Sequence, residues 1–378
     1  MINRHMRYLL LACLFVWLSC PAAAGADLPL PEPGKKWRIG YYEGGPYTEY
    51  TDTMRTFVKA LVEKGWIKEA APPDIFDEVE QPYIDWLSRA KTPYLSILPE
   101  NCYSAGWDDK KRIQNRSRML NKLKAGKLDL VIAMGTWAGL DLATDEHQVP
   151  VMVMSTSDPI RSGIIKSARD SGRNHVTARV DPDRYKRQIR MFHRIVGFKT
   201  LGVAYENVSD GKIYSAVDQV EQVAAERGFK AVYCVTADTT DPDSRANDLS
   251  CLECFTQLVQ KADAIYITAL LCIENDINAI AQLFRNQGIP SFSMVGSKYV
   301  QKGLMMSISN DSGYATLGRY NADKFTRILG GTRPRDLKMI LEDPLDIAVN
   351  METVRQINFD MPKSIIGVTT ELYEKQTP

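Results

Sequence analysis

The sequence lacks a charge bias. Its 378 residues contain 47 Lys and Arg against 46 Asp and Glu, which gives a formal net charge of +1 at pH 7. Proteins that bind nucleic acid or anionic membranes as their main partner usually carry an excess of basic side chains on one face. The near-neutral balance therefore argues against both kinds of partner.

Metal-binding patterns are also missing. The chain has only four histidines, and His147, His175 and His193 are too scattered to form a pair at metal-ligand spacing. The acidic stretch "TADTTDPDSRANDLS" resembles a calcium loop only superficially, because it lacks the glycine that such a loop requires. We predict no metal and no other cofactor.

The sequence contains none of the short motifs that mark common catalytic sites. The motifs G-x-S-x-G and H-E-x-x-H are absent, as are the phosphate-binding G-x-x-x-x-G-K and the dinucleotide glycine fingerprint. We therefore predict that the protein is not an enzyme. An exported enzyme whose catalytic residues are dispersed among the many acids is the less favoured alternative.

Long apolar segments are absent except at the amino terminus. Basic residues precede an apolar run from Tyr8 to Leu18, and small residues follow it. This order is typical of a secretory signal peptide, and the run is too short to span a bilayer. We predict a signal peptide at 1–26, a mature start at Asp27 and a periplasmic location, with lipid attachment at Cys20 as the weaker alternative.

Cysteine is scarce, and the number of cysteines that follow the predicted signal peptide is odd. The remaining cysteines are Cys102, Cys234, Cys251, Cys254 and Cys272. Cys251 and Cys254 form a C-x-x-C, but without a second pair or nearby histidines this motif is weak evidence for zinc or a redox centre. We expect a structural disulfide or buried thiols, and the sequence leaves the pairing open.

From Lys35 onward, strand-like and helix-like segments alternate. Near-continuous apolar strands such as "DLVIAM" are followed by amphipathic helices such as "DRYKRQIRMFHRIVG". This order predicts an α/β fold with parallel sheets covered on both faces. The number of strands favours two doubly wound lobes joined by a three-strand hinge. Only residues 80–110 do not fit the rhythm, and there we predict an extra strand with long loops.

The predicted lobes are each discontinuous in sequence. We expect lobe 1 to contain residues 27–178 with 303–331, and lobe 2 to contain residues 179–302 with 332–378. The three crossings between them should lie near residues 179, 302 and 332.

Two predicted strands of lobe 1 end in small polar residues. "DLVIAM" is followed by Gly135, Thr136 and Trp137, and "VPVMVM" is followed by a hydroxyl-rich segment that contains Ser157 and Asp158. Ligands bind doubly wound sheets at the carboxyl ends of the strands, where helix N-termini and hydroxyls favour a carboxylate. Asp158 could accept from an ammonium group, and Trp137 could stack on a ring or a cation. Simple helix capping and ordinary packing are the alternatives.

The first strand end, "GYYEGGPY", adds two candidates. Tyr41 and Tyr42 point to opposite faces of a strand, so only one of them can face a cleft. We predict Tyr42 and Glu43 as ligand contacts, with Glu43 as a second partner for an ammonium group.

Several segments carry a family resemblance. "DLVIAMGTWAGLDLA", "VPVMVMSTSDPIRSGIIKS", "ADAIYIT" and "PLDIAVNMETVRQINFDMP" resemble the type I periplasmic solute-binding proteins of ABC importers, in the branch associated with aromatic amino acids. The likeness extends roughly from residue 129 to 362. It implies ligand contacts at Thr136, Ser157 and Asp158, and at Asp311 where the chain returns through the hinge. The chain departs from the family pattern at Trp137 and at Leu270 and Leu271, which make the cleft more apolar.

The resemblance implies a monomeric, exported solute-binding protein. Its partners would be a small-molecule ligand, such as an aromatic or other apolar amino acid, and an ABC permease in the inner membrane. The same fold could serve as a ligand sensor for a membrane receptor or kinase. The sequence does not separate these two roles.

Overall fold

The computed structural model describes residues 34–69, 82–208, 210–237, 244–308, 311–344 and 346–374. The predicted signal peptide lies outside these residues. No helix in the described part of the chain is long and apolar enough to cross a membrane.

Lobe 1 is built around a five-stranded sheet in the order β2-β1-β3-β4-β5, in which every neighbouring pair is parallel. Its elements are β1 (Trp37–Glu43), α1 (Thr48–Glu63), α2 (Pro82–Arg89), β2 (Leu95–Ser104), α3 (Asp109–Lys124), β3 (Leu130–Met134), α4 (Gly135–Leu142), β4 (Val151–Met154) and β5 (Val176–Ala178). All residues of β3 and β4 are buried, as expected for parallel strands covered on both faces.

Lobe 2 contains a seven-stranded sheet in the order β12-β11-β10-β9-β8-β6-β7. Its first elements are α5 (Arg184–Val196), β6 (Thr200–Glu206), α6 (Gly211–Tyr214), α7 (Val217–Arg227), β7 (Lys230–Thr236), α8 (Ser244–Leu258), β8 (Ala264–Ile267), α9 (Leu271–Asn286), β9 (Ser291–Ser293), α10 (Lys298–Gln301) and β10 (Met306–Ile308). The chain then forms α11 (Asp311–Leu329), a 3-10 turn (Pro334–Asp336), β11 (Ile347–Asn350), α12 (Met351–Gln356), α13 (Lys363–Ile366) and β12 (Thr369–Tyr373).

The second sheet is not entirely parallel. β11 pairs with β10 in the antiparallel direction, and β12 runs parallel to β11. The last two strands therefore run opposite to the other strands. The prediction of two α/β lobes with parallel sheets is confirmed, with this antiparallel addition at one edge.

The sequence predicts that the whole segment 303–331 belongs to lobe 1, but the structure divides this segment between the two lobes. β10 belongs to the lobe 2 sheet, whereas α11 packs along α1 of lobe 1 so closely that a Cβ on Gly318 would lie 2.4 Å from the backbone oxygen of Thr56. The second crossing therefore follows Ile308. A short apolar strand looks the same in either lobe, and nothing local in its sequence assigns it to one sheet.

The third crossing also comes later than residue 332. The 3-10 turn still contacts β5, and Leu337 and Met339 are buried in the lobe 1 cores. Backbone hydrogen bonds then join Val180 to Met339 and Leu341 at 2.8 and 3.0 Å. The first and third crossings thus run side by side as a pair of hinge segments.

Residues 80–110 contain a helix as well as the predicted extra strand. α2 occupies its first part, and β2 is an edge strand of the lobe 1 sheet that pairs with β1. Residues 80 and 81 lie outside the described residues.

Two disulfides lie in lobe 2. They join Cys234 to Cys254 and Cys251 to Cys272, so the two cysteines of the C-x-x-C bond to different partners. Cys102 is the free cysteine of the described residues. Of the two alternatives that the sequence left open, a structural disulfide or buried thiols, the structure shows disulfides, and each bond fastens α8 to a neighbouring element.

Candidate functional site

A cavity lies between the carboxyl ends of the strands of the two lobes. It has a volume of about 100 Å³, and since one water needs about 10–15 Å³ it can hold several waters or one small molecule. The residues that line it are Tyr47, Glu49, Tyr50, Trp107, Thr136, Trp137, Ser155, Ser157, Glu206, Tyr214, Ala269 and Leu271. The first eight belong to lobe 1 and the last four to lobe 2.

The turn from β3 into α4 brings Thr136 and Trp137 to the cavity. Gly135 has a φ of +85°, and a Cβ at this position would lie 1.8 Å from the hydroxyl oxygen of Tyr50. A glycine is therefore needed for this backbone conformation and for the close approach of Tyr50. The Thr136 hydroxyl shares a hydrogen bond with the Thr156 hydroxyl at 3.1 Å.

The end of β4 supplies two serines. Ser155 has a φ of +52°, in the left-handed region that non-glycine residues rarely adopt. Its buried hydroxyl has no hydrogen-bond partner within the described part of the chain. Ser157 lies close to Tyr185 of lobe 2, where burial raises the pKa of the phenol and Ser157 lowers it by a smaller amount. A strained residue with an unsatisfied hydroxyl in a cavity is typical of a ligand contact.

Aromatic side chains form much of the lobe 1 wall. The rings of Trp107 and Trp137 meet edge to face with centroids 5.4 Å apart, and the ring of Tyr50 lies 6.4 Å from that of Trp107. The Trp107 indole N–H donates to the backbone oxygen of Pro46 at 3.0 Å. A Cβ on Gly45 would lie 2.7 Å from the Trp107 ring, so the "GGP" turn is needed to seat this tryptophan.

Trp137 also contacts the guanidinium group of Arg112, a residue of α3. The Arg112 guanidinium carbon lies 4.3 Å from the centroid of the Trp137 ring. Arg112 is itself held by two hydrogen bonds of 3.0 Å to Asp141. One face of Trp137 is therefore covered by protein, and only the remaining ring surface can meet a ligand.

The lobe 2 wall combines a carboxylate with apolar groups. Glu206 ends β6 and is 4% exposed, and the hydroxyl of Tyr214 donates to it. Ala269 and Leu271 follow β8. Leu271 lines the cavity, whereas Leu270 is buried in the lobe 2 core. The predicted apolar wall after β8 is therefore formed by Leu271 and not by Leu270.

Carboxylates from both lobes lie where the lobes meet. Glu49 of α1 lies 3.7 Å from Arg184 of α5, and burial raises the pKa of its carboxyl although Arg184 opposes this effect. Glu274 of α9 accepts from the backbone N–H of Thr48 at 3.3 Å, and burial raises its pKa too. Both acids therefore connect α1 to lobe 2.

The predicted contacts at the end of β1 do not line the cavity. Tyr42 is completely buried in the core on the other side of the sheet, where its hydroxyl donates to Asp141 at 2.8 Å. Its neighbour Tyr41 faces the opposite side and donates to Glu43 at 2.6 Å. Glu43 is 3% exposed and is not a lining residue. Tyr42 therefore packs in one core and Tyr41 in the other, and neither lines the cavity.

Asp158 acts as a turn cap and not as a cavity residue. Its carboxylate accepts from the backbone N–H groups of Ile160 and Arg161 at 3.2 and 3.0 Å, and from Gln219 of lobe 2 at 3.3 Å. Asp311 is the first residue of α11, but its side chain lies outside the described residues. Of the predicted contacts, Thr136, Trp137 and Ser157 are brought together at the cavity.

Most of the remaining lining residues were not predicted from the sequence. Tyr50 was not singled out, because it lies in the first turn of a helix and not at a strand end. Glu206 is the last residue of the strand "TLGVAYE". The rule that marked Thr136 and Ser157, which looks for polar residues at a strand end, would have found it. Trp107 lies in the segment 80–110, which was predicted only as an extra strand with long loops.

Comparisons with known proteins identify a family. The family model described as "ABC transporter substrate binding protein" matches residues 105–372, which is most of the chain. A tyrosine-binding protein of Clostridioides difficile (strain R20291) is 22% identical over 294 residues, which cover 75% of this chain and 79% of the relative.

Solved structures share the fold. A conserved domain protein from Vibrio cholerae O1 biovar El Tor is 17% identical with a TM-score of 0.67, and covers 89% of this chain and 100% of its own. An ABC domain in complex with L-Trp from Streptococcus pneumonia, also 17% identical, has a TM-score of 0.66 over the same shares. A ligand-free, open substrate-binding protein with adhesive properties from Clostridium difficile is 19% identical with a TM-score of 0.58, over 90% of this chain and 100% of its own. The predicted type I periplasmic binding protein fold is confirmed.

Proposed function

Since the chain belongs to the ABC transporter substrate-binding protein family, we propose that it is exported, captures an aromatic amino acid between its lobes and delivers it to an ABC permease in the inner membrane. The family consists of substrate-binding proteins and not of enzymes, in agreement with the sequence prediction.

The single observation that carries the choice of ligand is the composition of the cavity wall. Five of its residues are aromatic: Tyr47, Tyr50, Trp107, Trp137 and Tyr214. Aromatic pairs and flat apolar faces favour a ring-shaped ligand over an aliphatic one. The relatives named for tyrosine and bound to L-Trp support the same choice.

The polar groups of the cavity suit the two ends of an amino acid. The hydroxyls of Thr136, Ser155 and Ser157 lie at strand ends beside the first turn of α4, where backbone N–H groups and the helix dipole favour a carboxylate. Glu206 in the opposite wall offers a carboxylate to the ammonium group. A zwitterion would therefore bridge the two lobes.

Bridging of this kind explains how a ligand would close the lobes. Contacts made by one ligand to both walls exist only when the lobes are together, so the ligand stabilises the closed state. The paired hinge segments at Val180 and Met339 supply the axis about which the lobes would move.

Titration calorimetry with L-tryptophan, L-tyrosine and L-phenylalanine tests the proposal, with L-leucine as an apolar, non-aromatic control. We expect at least one aromatic amino acid to bind with a Kd in the micromolar range or below. L-leucine should bind about 2- to 13-fold more weakly, because it lacks the roughly 0.5–1.5 kcal/mol that ring contacts add. Native mass spectrometry of the purified protein would reveal a retained ligand. A protein that binds none of the three, or that prefers L-leucine, is not an aromatic amino acid carrier.

A further inference from the structure

We propose that the cavity selects its ligand by a protonated amine rather than by a carboxylate, so that aromatic amines without a carboxylate are also ligands. This inference rests on the proposed function for the aromatic part of the ligand and adds a substrate class to it.

The charges of the cavity wall carry the inference. The twelve lining residues include two carboxylates, Glu49 and Glu206, and none of them is Lys, Arg or His. The nearest described cation to Glu49 is Arg184 at 3.7 Å, and Arg184 also pairs with Asp343 at 2.9 Å. Arg179 also pairs with Asp343, so two guanidinium groups balance Glu49 and Asp343. Glu206 therefore supplies the negative charge of the cavity wall.

Glu206 is built into the wall and positioned by its neighbours. It is 4% exposed, and the Tyr214 hydroxyl donates to it. The turn after β6 is held close by Gly211, at which a Cβ would lie 2.1 Å from the backbone oxygen of Glu206. A carboxylate fixed in a small, largely apolar cavity binds a cation more strongly than a solvated one does.

The aromatic rings of the cavity wall also favour binding of a cation. Tyrosine and tryptophan faces attract ammonium groups through their quadrupoles, and clusters of such rings bind organic cations. The ring of Trp137 already attracts Arg112 in this way at 4.3 Å. The cavity therefore offers a cation both ring faces and a full negative charge.

A carboxylate meets weaker attraction in the same cavity. The Thr136 hydroxyl is shared with Thr156, which leaves the neutral hydroxyls of Ser155 and Ser157 as donors. The N-terminus of α4 adds a partial positive charge. These neutral donors and half charges act against the carboxylate of Glu206, so the ligand carboxylate contributes less than its ammonium group.

Binding measurements on matched ligands test the inference. Calorimetry compares L-tryptophan with tryptamine, which lacks the carboxylate, and with indole-3-propionate, which lacks the amine; L-tyrosine, tyramine and 3-(4-hydroxyphenyl)propionate form the second set. We expect loss of the carboxylate to change Kd by less than about tenfold. Loss of the amine should raise Kd by about 10- to 150-fold, the range for a hydrogen bond to a charged group.

The variant Glu206→Gln keeps the shape of the side chain and removes its charge. It should weaken binding of the amine and the amino acid by about 10- to 150-fold, and leave the amine-free acid unchanged or bound more tightly. Glu221→Gln is the matched control, because Glu221 is an exposed glutamate of the same lobe that also accepts from a tyrosine, Tyr233, at 2.6 Å. It should have no effect on any ligand.

The outcomes separate this inference from the proposed function. Binding of the amino acids without binding of the amines overturns the amine inference and leaves the aromatic amino acid function standing. Equal binding of the amine-free acids also overturns it. If folded protein binds none of the six compounds, both proposals fail. Should Glu206→Gln not fold, the ligand series on the unchanged protein decides the question.

Discussion

Ser155 combines an unfavourable backbone conformation with a hydroxyl that has no partner within the described residues. The left-handed region costs a non-glycine residue about 1–2 kcal/mol, and glycine removes most of that cost. Ser155→Gly should therefore raise the free energy of unfolding of the ligand-free protein by about 1 kcal/mol, and weaken ligand binding by about 3- to 10-fold through the lost hydrogen bond. Denaturant titration and calorimetry measure the two effects.

Ser155→Ala is the control for this trade-off. It loses the hydroxyl but keeps the backbone cost, so it should weaken binding without a gain in stability. Unchanged affinity in both variants would show that the Ser155 hydroxyl does not contact the ligand.

Trp137 is half-buried at the cavity, whereas Trp66 is 6% exposed inside the lobe 1 core. Trp137→Ala should weaken ligand binding roughly 5- to 150-fold, because ring contacts are lost, and should change the melting temperature of the ligand-free protein only slightly. Trp66→Ala should instead lower the free energy of unfolding by about 3–5 kcal/mol. Calorimetry of both variants with and without ligand separates the roles. A large loss of stability in Trp137→Ala with normal affinity would make Trp137 a packing residue.

Individual residues were the hardest part to predict from the sequence. The alternation of a strand shows that Tyr41 and Tyr42 face opposite sides, but not which side holds the cavity. Ser157 and Asp158 are both polar residues after a strand, and the local pattern cannot separate a cavity residue from a cap. Sequence patterns identify such positions, and the three-dimensional placement of the neighbouring elements decides their roles.

At the scale of elements, α8 depends on two covalent bonds. The disulfides span 20 and 21 residues, and closing loops of this length in the unfolded chain contributes about 3 kcal/mol each. Reduction should therefore lower the free energy of unfolding of lobe 2 by several kcal/mol. Denaturant titration with and without reductant measures this effect, and thiol counting under native conditions should detect Cys102 alone among the described cysteines. An unchanged midpoint after confirmed reduction would mean that the bonds add no stability.

The elements themselves could largely be predicted. Helices with a clear apolar stripe and a terminal glycine were recognised, as in α5, where Gly197 ends the helix with a φ of +71°. β10 was assigned to the wrong lobe because its three residues are apolar and buried, which is equally suitable for either sheet. The partner of a strand is a long-range property that a short apolar segment does not encode.

At the scale of the whole molecule, Lys324 of α11 joins the end of β5, which leads into the first hinge segment, to the third hinge segment. Its ammonium group donates to the backbone oxygen of Ala178 and to the hydroxyl of Tyr320, each at 2.9 Å, and Tyr320 donates to the backbone oxygens of Lys338 and Met339 at 2.9 and 2.8 Å. Burial lowers the pKa of Lys324 to about 7. Above that pH the folded protein binds fewer protons at this lysine than the unfolded chain does.

The sign of the pH dependence follows from this difference. Between pH 7 and about 10.4, the usual pKa of lysine, the contribution of Lys324 to the free energy of unfolding should rise with pH, by at most about 1.4 kcal/mol per unit. The free energy of unfolding of the variant Lys324→Met should lack this pH-dependent rise. It should exceed that of the parent by the largest amount at pH 6–7. Denaturant titrations of both proteins from pH 6 to 10 measure it. Parallel curves for the two proteins would contradict the prediction.

The two-lobe plan followed from the β-α rhythm, but the cavity did not. Its wall is assembled from residues as distant in sequence as Tyr47 and Leu271, and they meet only because the hinge brings the lobes together. No local sequence pattern predicts that these residues lie together in one cavity.

Among the contacts between the lobes that lie outside the cavity, Arg161 pairs with Asp218, and Asp158 accepts from Gln219. None of these four residues lines the cavity, so the ligand does not touch them, yet they must separate whenever it leaves. They therefore lengthen the residence time of the ligand, independently of its chemistry. Since Arg161 and Asp218 are 39% and 44% exposed, salt screens their attraction, and stopped-flow release of ligand should be faster at 1 M than at 0.1 M salt. The variant Arg161→Gln should release ligand at the same rate at 0.1 M and 1 M salt. If release from this variant is as salt-sensitive as release from the parent, the ion pair is not the cause of the salt effect. The residence time of the ligand then depends partly on the ionic strength of the solution around the protein.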